Sequence, residues 1–312
     1  MTKRLLLLLA LSIYGLNLHA ASRTFVCAVS GSDTNPCSVT APCRSFIAAL
    51  ASTDPDGELV VLDSGGYGPA TILQGVSILS PGGVYAGVTA TSGDAITINA
   101  PDTAHVALRN LFLNAIGAFN GVNVNSVGVL YVDGCTITGF TSTGIVFAST
   151  TGTQRMNVSN STIRRCGYAA VYVGYGIGTI QSVQLLDNQT GVMSWSTALA
   201  IVRNCVAKGN SYYGYYAGTN GKTIVEDSVA SANYIGFYAN LGMMTITRCT
   251  SVGNANGILS DSGGTTIYIS DSTISTNTLG VGGVNGNLTS RGNNTLYGNT
   301  TDGAFTATFS AQ

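Results

Sequence analysis

The sequence predicts an all-β solenoid of parallel coils, three short strands to a coil, and three observations carry that expectation. Stretches about 23 residues apart superpose almost without gaps, as in VRNCVAKGNSYYGYYA, VEDSVASANYIGFYA, ITRCTSVGNANGILS and ISDSTISTNTLGVGG. Apolar residues alternate with period two inside each stretch, as short strands require. The 312 residues include 40 Gly, punctuation that leaves no 3.6-residue helical pattern intact.

The repeat can be followed column by column. One position holds Asn110, Gly134, Asn160, Ser182, Asn204, Asp227, Arg248, Asp271 and Asn293, at steps of 24, 26, 22, 22, 23, 21, 23 and 22. Six residues on, a second column holds Asn188, Asn210, Asn233, Asn254, Asn277 and Asn299, with Gly191, Gly214, Gly236, Gly257 and Gly280 shortly after. The first strand of each coil starts at that Gly and stacks Val122, Ile145, Val171, Val192, Tyr215, Phe237, Ile258 and Val281. The second stacks Leu108, Val132, Val158, Ile180, Val202, Val225, Ile246 and Ile269. The third stacks Leu111, Cys135, Ser161, Val183, Cys205, Ser228, Cys249 and Ser272, followed two residues on by Leu113, Ile137, Ile163 and Leu185. A strand–turn unit of this size cannot bury its inner face alone, so it must stack on its neighbours at ~4.8 Å per coil.

Before the repeat, Lys3-Arg4, an apolar run from Leu5 to Leu18 and His19-Ala20-Ala21 have the layout of a secretory leader over residues 1–21. The expected location is therefore secreted or periplasmic, with no membrane span in the mature protein. The chain carries 13 basic and 14 acidic residues, and loss of the leader shifts its net charge from −1 to −3. That balance offers no footprint for nucleic acid. Export permits disulfides. Cys37 and Cys43 can pair across a turn-rich stretch, with Cys27 as the competing partner. No Cys/His spacing suggests a metal, and no cofactor is expected.

Repeats of the form IxNCTxxxN followed by GIxV resemble the right-handed parallel β-helix of the pectate-lyase-like superfamily, over roughly residues 57–300. The resemblance implies asparagine ladders at the turns, amides bonding one another and the turn backbone. PCRSFIAALAST followed by GELVVLDSGGYGPATI resembles the helix that caps the open barrel end. Residues 22–56 are thus expected as an N-terminal cap with a short helix, 57–300 as the β-helix and 301–312 as a C-terminal tail. Function does not follow, because this fold hosts lyases, hydrolases, epimerases, adhesins and inert stalks.

Chemistry is then sought within columns. Cys135, Cys205 and Cys249 share an inward column but lie two or three coils apart, ~10–15 Å, too far for a bond that needs ~7 Å. They are expected as buried free thiols filling apolar space. His105 is the only histidine after the leader, which excludes multi-histidine metal sites. The outward positions of the first strand are Asn123, Val146, Tyr172, Met193, Tyr216, Tyr238, Leu259 and Gly282, none charged at neutral pH. The NTD, DD, HG and RIK motifs of polygalacturonase-like enzymes are absent. Asp227, Arg248 and Asp271 share one column, with Glu226 beside it. The resemblance implies a Ca²⁺-dependent uronate lyase as one use of such a cluster. The plainer use is charge compensation between coils, as also expected for Arg109 with Asp133 and Arg203 with Glu226. Thr136, Thr162, Thr250, Thr273 and Thr295 form an outward row that Gln184, Val206 and Val229 interrupt, a poor ice-binding face.

One stripe remains. Tyr172, Met193, Tyr216 and Tyr238 line the first-strand face with Trp195, the only Trp, two residues beyond Met193. Aromatic faces suit sugar rings, although a stacked ladder stabilising the sheet needs no ligand. The expected function is an exported β-helix binding an extracellular or cell-surface polysaccharide along that face. A Ca²⁺-dependent polysaccharide lyase and a non-catalytic structural or adhesive protein are the alternatives.

Overall fold

The structure is a computed structural model that describes residues 21–148 and 153–310, so the expected leader lies outside the described residues except for Ala21. The chain forms a parallel β-solenoid of about ten turns built from three sheets. The sheet of first strands has 10 members, that of second strands 13 and that of third strands 11. Ten rises of ~4.8 Å give a barrel roughly 48 Å long.

The expected columns are the observed register. In the first sheet Val122 pairs with Ile145, Val192 with Tyr215 and Phe237 with Ile258. In the second, Val132 pairs with Val158 and Val225 with Ile246. In the third, Ile137 pairs with Ile163. These side chains fill a continuous buried core. A slip of one residue would turn a whole strand's apolar set to water, which is why alternation specifies the register so strongly.

Corners are made by left-handed residues. The column from Asn110 to Asp271 joins second to third strands, and all eight of its members have φ between 48° and 64°. Left-handed backbone disfavours side chains other than Asn, Asp and Gly, so Ser182 and Arg248 need outside support. At six of these eight corners the next residue is Ser or Cys, and its side chain ties the turn; Leu111 and Val183 follow the other two. The Oγ atoms of Ser161, Ser228 and Ser272 accept from the amides of Cys135, Cys205 and Cys249 one coil earlier, at 3.0, 3.1 and 3.1 Å. The same hydroxyls donate to the carbonyls of Ser159, Glu226 and Ser270. Cys135, Cys205 and Cys249 imitate them, each Sγ donating to the carbonyl two residues back at 3.5, 3.1 and 3.3 Å. The thiols are free and buried in the core as expected, and they also act as turn donors.

The second Asn column is a true ladder. Asn188 to Asn277 are buried, and each Nδ2 donates to the Oδ1 of the Asn one coil on, at 3.2, 2.9, 3.0, 3.0 and 2.9 Å. That Oδ1 also accepts the lower residue's backbone amide, as from Asn210 to Asn233 at 3.0 Å. The second Nδ2 hydrogen goes to a third-strand carbonyl, Ala207 for Asn233. The glycine column follows from this packing. A Cβ on Gly236 would sit 2.7 Å from the Gly257 carbonyl and 3.0 Å from Nδ2 of Asn254.

Two boundaries differ from expectation. Ala21–Val26, of which residues 22–26 were expected within the cap, pair in parallel with Thr53–Val61 and begin the second sheet. Ala307–Thr308, expected in the tail, pair with Asn287–Ser290. Neither strand carries the Asn and Gly columns that mark the repeat. The helix is Phe46–Ala51, six residues with Ser45 as N-cap, and Phe46 and Ala49 join the core. Cys37 and Cys43 are bonded with Cα atoms 4.6 Å apart, and the Cys27 thiol instead donates to Asp63.

Removing one ladder amide, Asn233→Ala, deletes four hydrogen bonds and is expected to cost about 2–4 kcal/mol in urea unfolding. Gly236→Ala should cost about 1–3 kcal/mol through overpacking. A loss below half a kcal/mol in both would show that the ladder does not hold the coils together. Burial pushes the thiols of Cys135, Cys205 and Cys249 up to about 12, 11 and 12. The folded state thus holds those protons more tightly than the unfolded chain. Their contribution to stability should be complete below about pH 8.5 and decline as pH rises through the alkaline range toward the folded values. The triple Ser variant should fold and show a flatter alkaline decline, and all three native thiols should resist alkylation until denaturation.

Candidate functional site

Tyr172, Met193, Tyr216 and Tyr238 occupy one register column of the first sheet on successive coils. They are not equally available. Met193 and Tyr238 are 5% and 8% exposed. Tyr238 stacks on Tyr216 at 5.2 Å and on Tyr213 at 4.7 Å, with interplanar angles of 20° and 19°. Its hydroxyl accepts from Asn240 at 3.0 Å and donates to Asp261 at 3.3 Å. Tyr238 is therefore the base of an aromatic stack. Trp195 meets Tyr216 edge-on at 6.0 Å and lies over Gly218, where any Cβ would displace the indole.

The structure gathers Met193, Trp195 and Tyr216 with Tyr168, Gln189, Thr190, Tyr212 and Tyr213 around an open cavity of about 370 Å³. Tyr172 stands beside it, its ring 6.5 Å from that of Tyr168, whose hydroxyl contacts the Met193 sulfur at 3.2 Å. Tyr168 and Tyr212 form exposed walls, and Met193 with Tyr216 forms the floor. Sequence reasoning missed Tyr168, Gln189, Thr190, Tyr212 and Tyr213. They sit in the corner between the third-strand turn and the first strand, at Tyr-Ala, Gln-Thr and Tyr-Tyr in successive repeats. Burial raises the phenol pKa of Tyr168, Tyr213 and Tyr216, so these hydroxyls stay neutral donors throughout the physiological range.

The charged column has a simpler geometry. Arg248 grips both oxygens of Asp227, with Nε–Oδ1 2.7 Å and Nη2–Oδ2 2.9 Å, and this pairing lowers the Asp227 pKa. Asp271 instead accepts from Asn293 at 2.7 Å, with Arg291 at 4.0 Å. Arg203 pairs with Glu226 at 2.7 Å. Asp133 does not pair with Arg109. Ser159 and Asn160, one coil on, reach its carboxylate at 2.7 and 2.9 Å. Among the described residues no three His, Cys, Asp or Glu side chains converge closely enough to hold a metal ion. Other cavities differ in character. His105 lines one of about 330 Å³ with Asp56 and Ser77, without a hydrogen bond among the three in the described residues. A groove of about 450 Å³ between the helix and Thr71–Gln74 is mainly aliphatic.

The profile of a family described as a right handed beta helix region matches residues 120–274. Solved structures match across most of the chain at low identity. Pectate lyase Pel9A is 17% identical, with TM-score 0.54 over 86% of this chain and 74% of that one. XylC in complex with xylose is 7% identical, with TM-score 0.57 over 86% and 70%. The GH136 lacto-N-biosidase from Eubacterium ramulus is 9% identical, with TM-score 0.50 over 93% and 67%. No curated protein matches the sequence.

The Asp227–Arg248 pair is solvent-exposed, so Arg248→Ala should leave the melting temperature essentially unchanged. A pronounced drop would show that the pair supports the left-handed corner beneath it.

Proposed function

We propose that this chain, whose fold is the pectate-lyase-like right-handed parallel β-helix, is an exported protein that binds an extracellular or cell-surface polysaccharide in the aromatic groove of its first sheet. The observation that carries this reading is the cavity in which Trp195 and four tyrosines meet around Met193, Gln189 and Thr190. Rigid aromatic rings offer apolar area at small entropic cost and leave phenol and indole groups free to bond hydroxyls. The fold is shared with a pectate lyase and a lacto-N-biosidase, and with XylC, whose complex holds xylose. Binding is favoured over turnover because none of the eight lining residues is charged at neutral pH, whereas glycoside cleavage typically employs two carboxylates. The leader-like N-terminus and the Cys37–Cys43 bond support export.

Trp195→Ala is expected to weaken glycan binding about tenfold, equivalent to ~1.4 kcal/mol, with little change in melting temperature. Tyr238→Ala, which empties the base of the stack, should instead destabilise by about 3 kcal/mol. Glycan arrays and calorimetry on both variants separate the roles. Unchanged glycan affinity with a lowered melting temperature for Trp195→Ala would make the groove structural and end the binding reading.

A further inference from the structure

Three features of the groove bear on what occupies it. Thr190 and the half-buried Gln189 line the cavity, and neither side chain has a hydrogen-bond partner among the described residues. Both are free to donate to and accept from a ligand hydroxyl.

The second feature is spacing. The amide of Thr190 bonds the Tyr168 carbonyl at 2.8 Å, and the amide of Tyr212 bonds the Gln189 carbonyl at 2.9 Å. Tyr168, Gln189 and Tyr212 therefore stand on three successive coils, an aromatic wall, a polar gap and a second wall. Two coil rises separate the walls by ~9.6 Å at the backbone. Tyr168 and Tyr212 thus flank the polar gap, and the Tyr168 hydroxyl reaches the Met193 sulfur of the middle coil at 3.2 Å. Had the middle coil carried Tyr, as its neighbours do, the slot would be filled.

The third feature is charge. No Lys or Arg lines the groove, and the carboxylate nearest its floor is Asp261, bonded to Tyr238 and acting on Tyr213. A uronate carboxylate bound there would lose water and gain no cation, a costly exchange.

We infer that the groove takes an uncharged pyranose unit of a neutral glycan, flanked by Tyr168 and Tyr212 with its hydroxyls bonded by Gln189 and Thr190. This inference rests on the glycan-binding reading above and narrows it to a substrate class.

Trp195 is the only Trp, so intrinsic Trp fluorescence reports on this groove alone. The test titrates the protein with xylo-, cello- and manno-oligosaccharides and with oligogalacturonates of equal length. At least one neutral series should change the fluorescence saturably and bind at least tenfold more tightly than the oligogalacturonates. Gln189→Ala and Thr190→Val should each weaken that binding about three- to tenfold, with the melting temperature preserved. Oligogalacturonates binding as well as or better than every neutral series would overturn the inference and leave the glycan reading standing. Neutral binding indifferent to both substitutions would also overturn it. Silence from every oligosaccharide, in fluorescence and in calorimetry, would end both.

Discussion

An asparagine that hydrogen-bonds its own counterpart one coil away is the contact on which the rest of this molecule depends. The amide has two donors and an acceptor, and the structure uses them all. One hydrogen goes forward to the next Asn and one to a third-strand carbonyl, while the oxygen receives both the side chain and the backbone of the residue behind. A tight corner leaves backbone groups facing inward with no strand to pair them, and burying them unpaired would be costly. The ladder satisfies those groups and sets the spacing at which all three sheets pair. The glycines are part of the same device. Their bare Cα atoms allow the following coil's carbonyl to approach where the amides stack.

The other corner solves the same difficulty with smaller groups. Its left-handed residues vary from Asn to Arg because their side chains point to solvent, while the Ser or Cys that follows at six of the eight corners is constrained by hydrogen bonding. This division explains what could be read from the linear chain. Strand registers were legible in columns such as Val122 to Val281, since alternation and burial make one register much better than its neighbours. Asp133 was misassigned because a charge suggests an opposite charge, whereas Ser159 and Asn160 were already one rise away. The opening strand Ala21–Val26 escaped notice because a helix and a disulfide loop replace the repeat between it and its partner.

The groove was half legible. Met193, Trp195 and Tyr216 stood in or beside the outward column, and their proximity follows from register alone. Tyr168, Gln189, Thr190, Tyr212 and Tyr213 did not, because at a corner the chain turns and the alternation that separates inside from outside lapses. A stripe of aromatic residues would by itself be a ladder, and Tyr213, Tyr216 and Tyr238 show that it largely is one. A recess exists where one coil departs from its neighbours and places Gln189 where both of them place tyrosine. In a repetitive scaffold, such local exceptions are where specificity can arise.

The thiols of the Ser-like corner have a consequence for biogenesis. In an oxidising compartment, an unfolded chain presents seven cysteines, and any of them can be trapped in a wrong partnership. Cys37 and Cys43, six residues apart, close the shortest loop and have an early kinetic advantage. Cys135, Cys205 and Cys249 are protected afterward by the stacking itself, which hides each sulfur and holds it coils away from its fellows. If the chain is exported as proposed, coil growth has to outrun oxidation. A chain delayed in that race would be lost to scrambled crosslinks even though every finished coil is stable.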